Sequence, residues 1–307
     1  MARHIVSRPD GEVHLQAPIP HNEWRRDLLT GILRLSLETP PGQVVSPGTG
    51  RLTLSKLDAT ETVAQQAATV QGVPVLPGAG IKGAVRSLFE ILSFSCDLFA
   101  WTDRSRGYDR SPRCSPRFCC DACSLFGLLG WNGRVGFDDA LPVDPAAVQI
   151  EVQKVPIPWT PSPMKSQGQF RLYDSTEATQ PDVDRKVYVR KPKELAREVF
   201  SGRFEARMRF CNLTPEEMGR LLLSMGIGSD ERTSFYLRLG GLKYDGKGLV
   251  KVEPNSLRLT TPLRRDLLAL ECSRQCSAWI ESARASSWAD TFWPTLEKVA
   301  EVLQRIK

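Results

Sequence analysis

Apolar and polar positions alternate in "GILRLSLE", residues 31–38: Leu33, Leu35 and Leu37 interleave with Arg34, Ser36 and Glu38, which is the period of a half-buried strand. A second alternation, "RFEARMRF" at 203–210, puts Phe204, Ala206, Met208 and Phe210 on one face and Arg203, Glu205, Arg207 and Arg209 on the other. One face is core and the other is cationic. Between them the period lengthens. Ile81, Val85, Leu88, Phe89 and Leu92 recur at helical spacing and predict a helix packed on a sheet, with Lys82, Arg86 and Glu90 elsewhere on its surface. "NLTPEEMGRLLLSMG" predicts another helix, with Thr214 as N-cap, Pro215 at the first helical position and Glu217 closing a capping box. "NGRVGFDDALPV" reads as a turn entering a strand, and "FYLRLGGLKYDGKGLVKVEP" as strand, glycine-rich turn, strand.

Without the intervening segments, the order is strand, helix, strand, then strand, helix, strand. This is the split βαβ, ferredoxin-like plan, shared by RNA-recognition domains. The expected fold class is therefore α+β, with a ferredoxin-like (RRM-like) core over 28–261, a leader over 1–27 and a helical segment over 262–307. Two insertions interrupt the core, a cysteine-rich one at 96–130 and a proline-rich, then basic, one at 145–198. The second carries Arg185, Lys186, Arg190, Lys191, Lys193 and Arg197, which fits either a thumb-like grip on RNA or a neighbour, or a solvated hairpin. Residues 39–72 are rich in Gly, Pro, Thr and Ser, too long for a tight connection, and form a candidate functional loop. The tail carries the stripe Leu296, Val299, Leu303 and Ile306, with Trp288 and Trp293, which can complete the core or dock a partner.

The 307 residues carry 41 Lys and Arg against 35 acids, a net charge of +6 that favours a polyanionic partner. No apolar run approaches the roughly 18 residues of a membrane span, and "MARHIVSRPDGEVHLQ" lacks a signal-peptide core, so a cytoplasmic location is expected. All three histidines, His4, His14 and His21, precede the predicted core. A Ser-His-Asp, Cys-His or histidine acid/base arrangement would have to recruit one of them from the leader.

"VLPGAGIKGAVRSLFE", 75–90, places Gly78, Gly80 and Gly83 at the spacing of a dinucleotide fingerprint. Pro77 interrupts the approach and no further alternating β-α units follow, so that reading is rejected. A P-loop fails because Gly83, not Ser or Thr, follows Lys82. The physics shared by both motifs remains: close backbone approach at glycine, helix-opening N–H groups, and the cations Lys82 and Arg86 one turn apart make a phosphate seat. The alternative is a tight strand-to-helix connection with solvated basic residues.

Five of the eight cysteines, Cys96, Cys114, Cys119, Cys120 and Cys123, lie within 28 residues. In a reducing compartment disulfides are not expected. Cys120 and Cys123 form a C-x-x-C knuckle, and with no histidine nearby a tetrahedral zinc would take cysteines throughout. The expected ligands are Cys96, Cys114, Cys120 and Cys123, with Cys119 as the alternative to its neighbour. Such a zinc would be structural, holding an insertion with little apolar core. Buried free thiols or a redox pair are the competing readings, the latter lacking a thioredoxin-like setting.

Three segments in order carry a family resemblance: "VPVLPGAGIKGAVRSLFE", "CSLFGLLGWNGRVGFDDA" and "RLGGLKYDGKGLVKV", with "FCNLTPEEMGRLLLSMG" as a fourth. Together they resemble the RAMP superfamily, the RNA-binding subunits of type III CRISPR effector complexes in antiviral defence. The resemblance implies contacts with a guide-RNA (crRNA) backbone from Gly78, Gly80, Lys82, Gly83 and Arg86, and from Gly240, Gly241, Lys243, Gly246 and Lys247. It also implies paired target RNA and other effector subunits as partners. Many relatives carry Ser-Ser where this chain has Ala79 and Gly80, which removes hydroxyl contacts to phosphate but leaves backbone ones.

Catalytic relatives place an aspartate in the loop before the glycine helix, and Asp58 is the only aspartate there. It lies further from the motif than usual and lacks apolar-proline surroundings. A target-RNA endonuclease using Asp58 and a divalent metal such as Mg²⁺ is thus one alternative to a non-catalytic RNA-binding subunit. A nucleotide-using enzyme unrelated to CRISPR is another. Asp138 and Asp139 fall at a position that is structural in the family.

Overall fold

The alternating stretch becomes strand β1, Leu29–Glu38, in the middle of an antiparallel sheet. The computed structural model describes residues 3–57, 60–96, 114–156, 169–173, 194–261 and 264–304. Helix α1, Gly78–Ile91, follows β1 and leads to the short strand β2, Val135–Phe137. Strand β3, Arg203–Leu213, helix α2, Pro215–Ser224, and strand β4, Leu249–Thr261, complete the second half. The strands lie in the order β2, β3, β1, β4, each antiparallel to its neighbour. That order and those directions are the split βαβ connectivity, so the molecule is α+β as its periodicities predict.

Both alternations bury the predicted faces. Leu33, Leu35, Leu37, Phe204 and Met208 are fully enclosed, with Ala206 and Phe210 nearly so, and Ile81, Val85, Leu88 and Phe89 of α1 meet them from the helix side. Thr214 and Glu217 form the expected capping box, each side chain bonding the other residue's backbone N–H. Gly219 allows α2 to lie directly on helix α3, Cys272–Arg284: a Cβ there would stand 2.0 Å from the Trp279 carbonyl oxygen. Helix α4, Ser287–Gln304, adds Trp288, Phe292, Leu296 and Val299 to the same core. Trp288 Nε1 donates to the Leu92 carbonyl at 2.6 Å, fastening α4 to the end of α1. The tail helices therefore complete the core, and among the described residues no helix is long and apolar enough to cross a membrane.

Three segments differ from their sequence reading. Residues 264–270, expected to begin the helical tail, form strand β5 against β4. The apolar run Leu267, Leu268, Ala269 and Leu270 suits either structure, and the free edge of β4 decides it. The expected loop at 39–72 contains a β-hairpin, Gly48–Leu57 with Thr60–Ala67. It joins Glu194–Phe200 and Ile150–Pro156 in a second sheet of four strands, over a small cluster of Val155, Val199 and Leu242. The leader is also folded onto the molecule. Arg3–Ser7 pairs with Gln169–Tyr173, Gln16 pairs with Cys119, and Asn212 donates to the carbonyls of Pro20 and Glu23 at 2.7 and 2.6 Å. Asp58 and the insertion residues Arg185, Lys186, Arg190, Lys191 and Lys193 lie outside the described residues.

Candidate nucleic-acid interface and cysteine centre

Helix α1 opens against β2. A Cβ on Gly78 would lie 2.2 Å from the Phe137 carbonyl oxygen, so only glycine lets the helix start there. The Gly78 N–H donates to Asp139 Oδ1 at 2.7 Å, placing a carboxylate at the positive end of the helix. Gly80 and Ile81 both donate to the Pro77 carbonyl, at 2.8 and 3.1 Å. The expected row of free helix-opening amides is thus largely taken up internally, a correction with a plain cause: Asp139 and Pro77 already serve as acceptors. Asp139 escaped the sequence reading as a helix partner because it sits 61 positions away in the chain.

What the helix leaves open is its flank. Ala79, Gly80 and Gly83 are exposed, and a Cβ on either glycine would meet nothing within 4 Å. Lys82 stands beside them with no ion pair or hydrogen bond among the described residues. Partial burial, reinforced by the charge of Arg86, lowers its pKa below that of an ordinary lysine.

Arg86 faces elsewhere. Its Nε bonds Glu90 at 2.8 Å, Nη1 bonds the Gly127 carbonyl at 2.8 Å and Nη2 approaches Cys123 Sγ at 3.4 Å. Glu90 is almost fully enclosed, against the expectation that both residues lie off the packing face. Burial opposes the charge on Arg86, and Glu90 with Cys123 more than restores it, so its pKa stands above that of an ordinary arginine.

The glycine-rich loop lies beside α1, which packs on Leu237–Arg238, the strand that opens it. Gly240 takes φ +79° and its Cβ would strike the Ser46 carbonyl oxygen at 2.8 Å. Gly241 N donates to the same oxygen at 3.0 Å, while Gly248 N donates to the Val44 carbonyl at 2.9 Å. Gly246 is left-handed at φ +71° and ends the turn Lys243–Asp245. Lys247 Nζ is held by Gln153 Oε1 at 2.5 Å. Half-buried Lys243 has its pKa lowered, first by burial and then by neighbouring Arg238. Arg197 Nη1 lies against Gly241, so Arg197, Arg238, Lys243 and Lys247 gather round one turn. Arg238, six per cent exposed, carried no sequence signal as part of this group.

Cys96, Cys114, Cys120 and Cys123 bring their sulfur atoms within 4.8 Å of one another. Cys96 Sγ lies 3.5 Å from Cys123 Sγ and 3.6 Å from Cys120 Sγ. Tetrahedral zinc with bonds of about 2.3 Å sets sulfurs about 3.8 Å apart, so this donor set fits such an ion. Backbone N–H groups reinforce it, Cys96 N pointing to Cys120 Sγ at 3.4 Å and Cys120 N to Cys114 Sγ at 3.3 Å. Cys119 stands outside the cluster, its backbone paired with Gln16 and its thiol pushed up to about 11, chiefly by burial. Cys276 is buried in α3; Cys211 and Cys272 are half-buried.

The family model of the RAMP superfamily matches residues 46–251, more than half of the chain. The chain belongs to the RAMP superfamily. Comparison with curated proteins gives no match. At the family level a RAMP domain marks a CRISPR-associated RNA-binding protein.

Within this RAMP chain the motifs divide into buried and open ones. Arg134, from the Gly-Arg segment, is enclosed and forms a two-pronged pair with Glu217 through Nη1 at 3.0 Å and Nη2 at 2.5 Å. It also donates to the Asn212 carbonyl at 2.6 Å and to Ser124 Oγ at 3.1 Å. The Gly-Arg and Asn-Leu-Thr segments thus form one internal knot between β2, β3 and α2. Asp138 bridges Arg207 and Arg209. Among the described residues, the α1 flank and the glycine-rich loop bring lysines of the family motifs to the surface, and the turn at Leu129, Gly130 and Asn132 is exposed as well.

Proposed function

We propose that the chain is a guide-RNA (crRNA) backbone-binding subunit of a cytoplasmic type III CRISPR effector, built on a ferredoxin-like, RRM-like core. The observation that carries this is the open flank of α1. Glycine inside a helix costs roughly 0.5–1 kcal/mol relative to alanine, yet Gly80 and Gly83 have no internal neighbour that requires them. Their bare surface, with Lys82 beside it unpaired among the described residues, suits a sugar-phosphate strand lying against the helix. The adjoining cations Lys243 and Lys247 extend the track, with Gly240, Gly241 and Gly246 shaping the turn that presents them. Arg86 drops out of this contact set because its three donor directions serve Glu90, Gly127 and Cys123.

We further propose that Cys96, Cys114, Cys120 and Cys123 hold a structural Zn²⁺ that pins the chain around Asp121–Phe126 beneath α1. Elemental analysis of the purified protein is expected to give one zinc per chain, lost in Cys120→Ser and kept in Cys119→Ser. For the RNA contact, fluorescence anisotropy with labelled single-stranded RNA is the test. Binding should depend strongly on salt and little on sequence, since phosphates are read rather than base edges. Gly83→Leu should lower affinity at least tenfold while the protein stays folded. Undiminished binding by that variant would remove the helix flank from the interface.

A further inference from the structure

The face of the main sheet turned away from α1 and α2 carries charge that the helix-side contact does not use. Side chains alternate across the sheet, so the partners of the buried leucines point to this second face. Arg207 of β3 stands opposite Arg34 of β1, which stands opposite Ser256 of β4. One row along, Arg209 and Arg258 flank Ile32. All four arginines are exposed. Asp138 pairs with Arg207 and Arg209, whereas Arg34 and Arg258 have no ion pair or hydrogen bond among the described residues. Like charges set directly opposite destabilise a sheet, and here the opposition spans the two central strands with one carboxylate to offset it. Further along the same face Lys251 is paired with Glu253 at 2.6 Å, and the carboxylate of Glu205 accepts a hydrogen bond from Asn255 at 3.1 Å. The excess is therefore local.

We propose that this arginine platform is a second nucleic-acid contact, across which a single RNA strand lies with phosphates on Arg34 and Arg258. Planar guanidinium groups also stack on unpaired bases, and Ile32 supplies an apolar floor between two of them. Ile32 is the one large apolar side chain in these two rows of β1, β3 and β4, which gives a protein partner little to bury, while four cations match a polyanion closely. The inference rests on the RNA-binding reading above. It does not rest on α1 being the contact, because α1 lies across the sheet.

The experiment titrates labelled single-stranded RNA, long enough to span both faces, into wild type, Arg34→Gln/Arg258→Gln and Lys82→Gln. At about 0.1 M salt the double variant should bind roughly 25-fold more weakly, and its salt slope should fall by about 1.4, the effect of two lost single-strand phosphate contacts. Lys82→Gln should weaken binding independently, the two losses adding. If the double variant binds like wild type while Lys82→Gln does not, the platform is overturned and the helix-side function stands. If the double variant binds RNA normally but releases an acidic subunit from the assembled complex, the occupant is protein and the proposal falls. Wild-type binding by both variants would sink both readings. Arginine-selective modification of the wild-type protein, read by mass spectrometry, gives a check free of folding effects. Bound RNA should protect Arg34 and Arg258, and equal labelling with and without RNA overturns the platform.

Discussion

Nη2 of Arg86 lies 3.4 Å from Cys123 Sγ, which joins the helix carrying Lys82 to the cysteine centre through one side chain. A zinc ion on four thiolates carries a net charge of −2, and a guanidinium against one sulfur offsets part of it in a buried setting. Arg86→Ala is expected to release zinc to a chromogenic chelator with an affinity loss of about 10- to 100-fold, the range for lost outer partners of metal ligands. Arg86→Lys should recover part of it. Unaltered chelator competition in Arg86→Ala would show that the contact is incidental to metal holding.

The open helix flank separates stability from binding. Gly80→Ala and Gly83→Ala should each raise the stability of the protein by up to about 1 kcal/mol, because alanine is the better helix former and nothing obstructs its methyl. Urea denaturation reads that gain. The same substitutions should weaken RNA binding, since a methyl now stands where the strand lies. A loss of stability would mean that the flank is covered by the protein itself.

How much of this was legible depends on whether a pattern is local. Leu33, Leu35 and Leu37, the α1 stripe and the Thr214 capping box follow from spacings of two to four residues, so the strand and helix order can be read directly from the chain. The cysteine cluster was legible too, but the choice between Cys119 and Cys120 was not, and the fold makes it by gathering the sulfur of Cys120 with those of Cys96, Cys114 and Cys123. Orientation around a helix was less so. Arg86 follows buried Val85 on the wheel, and only the distant Gly127 and Cys123 decide that it turns inward. The hairpin at 48–67 stayed hidden because its large apolar residues Leu52, Leu54 and Val63 are exposed, while its covered face is built from small or polar ones, Thr53, Ser55, Thr62 and Ala64. The folded leader depends on Asn212, whose bonds to residues 20, 23 and 25 span more than 180 positions.

The buried knot of Arg134 and Glu217 gives a stability prediction. Removing one member leaves the other charge enclosed without its partner, a change that costs about 3–5 kcal/mol in comparable settings. Arg134→Ala should therefore lower the denaturation midpoint sharply, and Glu217→Ala should add loss of the α2 cap to a similar defect. A double-mutant cycle measures the coupling, and additivity of the two losses would show that the pair does not act as a unit.

Lys243 makes a prediction about pH. Its pKa is lowered in the folded protein, first by burial and then by Arg238, whereas in the unfolded chain it returns to the ordinary 10.5. Between those two values the unfolded chain holds the proton that the folded protein has released, so this residue makes stability rise with pH across that window. Below the window both states are protonated and the folded form bears the strain of a half-buried cation. Lys243→Met should therefore raise the melting temperature near neutral pH and flatten the alkaline part of the stability profile. A phosphate against the ammonium relieves the same strain, so the variant should also bind RNA more weakly and gain less thermal stability from added RNA than wild type. If Lys243→Met melts lower than wild type at neutral pH, then contacts of the lysine stem outweigh the half-buried charge. In that case the glycine-rich loop is held by that residue and does not use it to receive an anion.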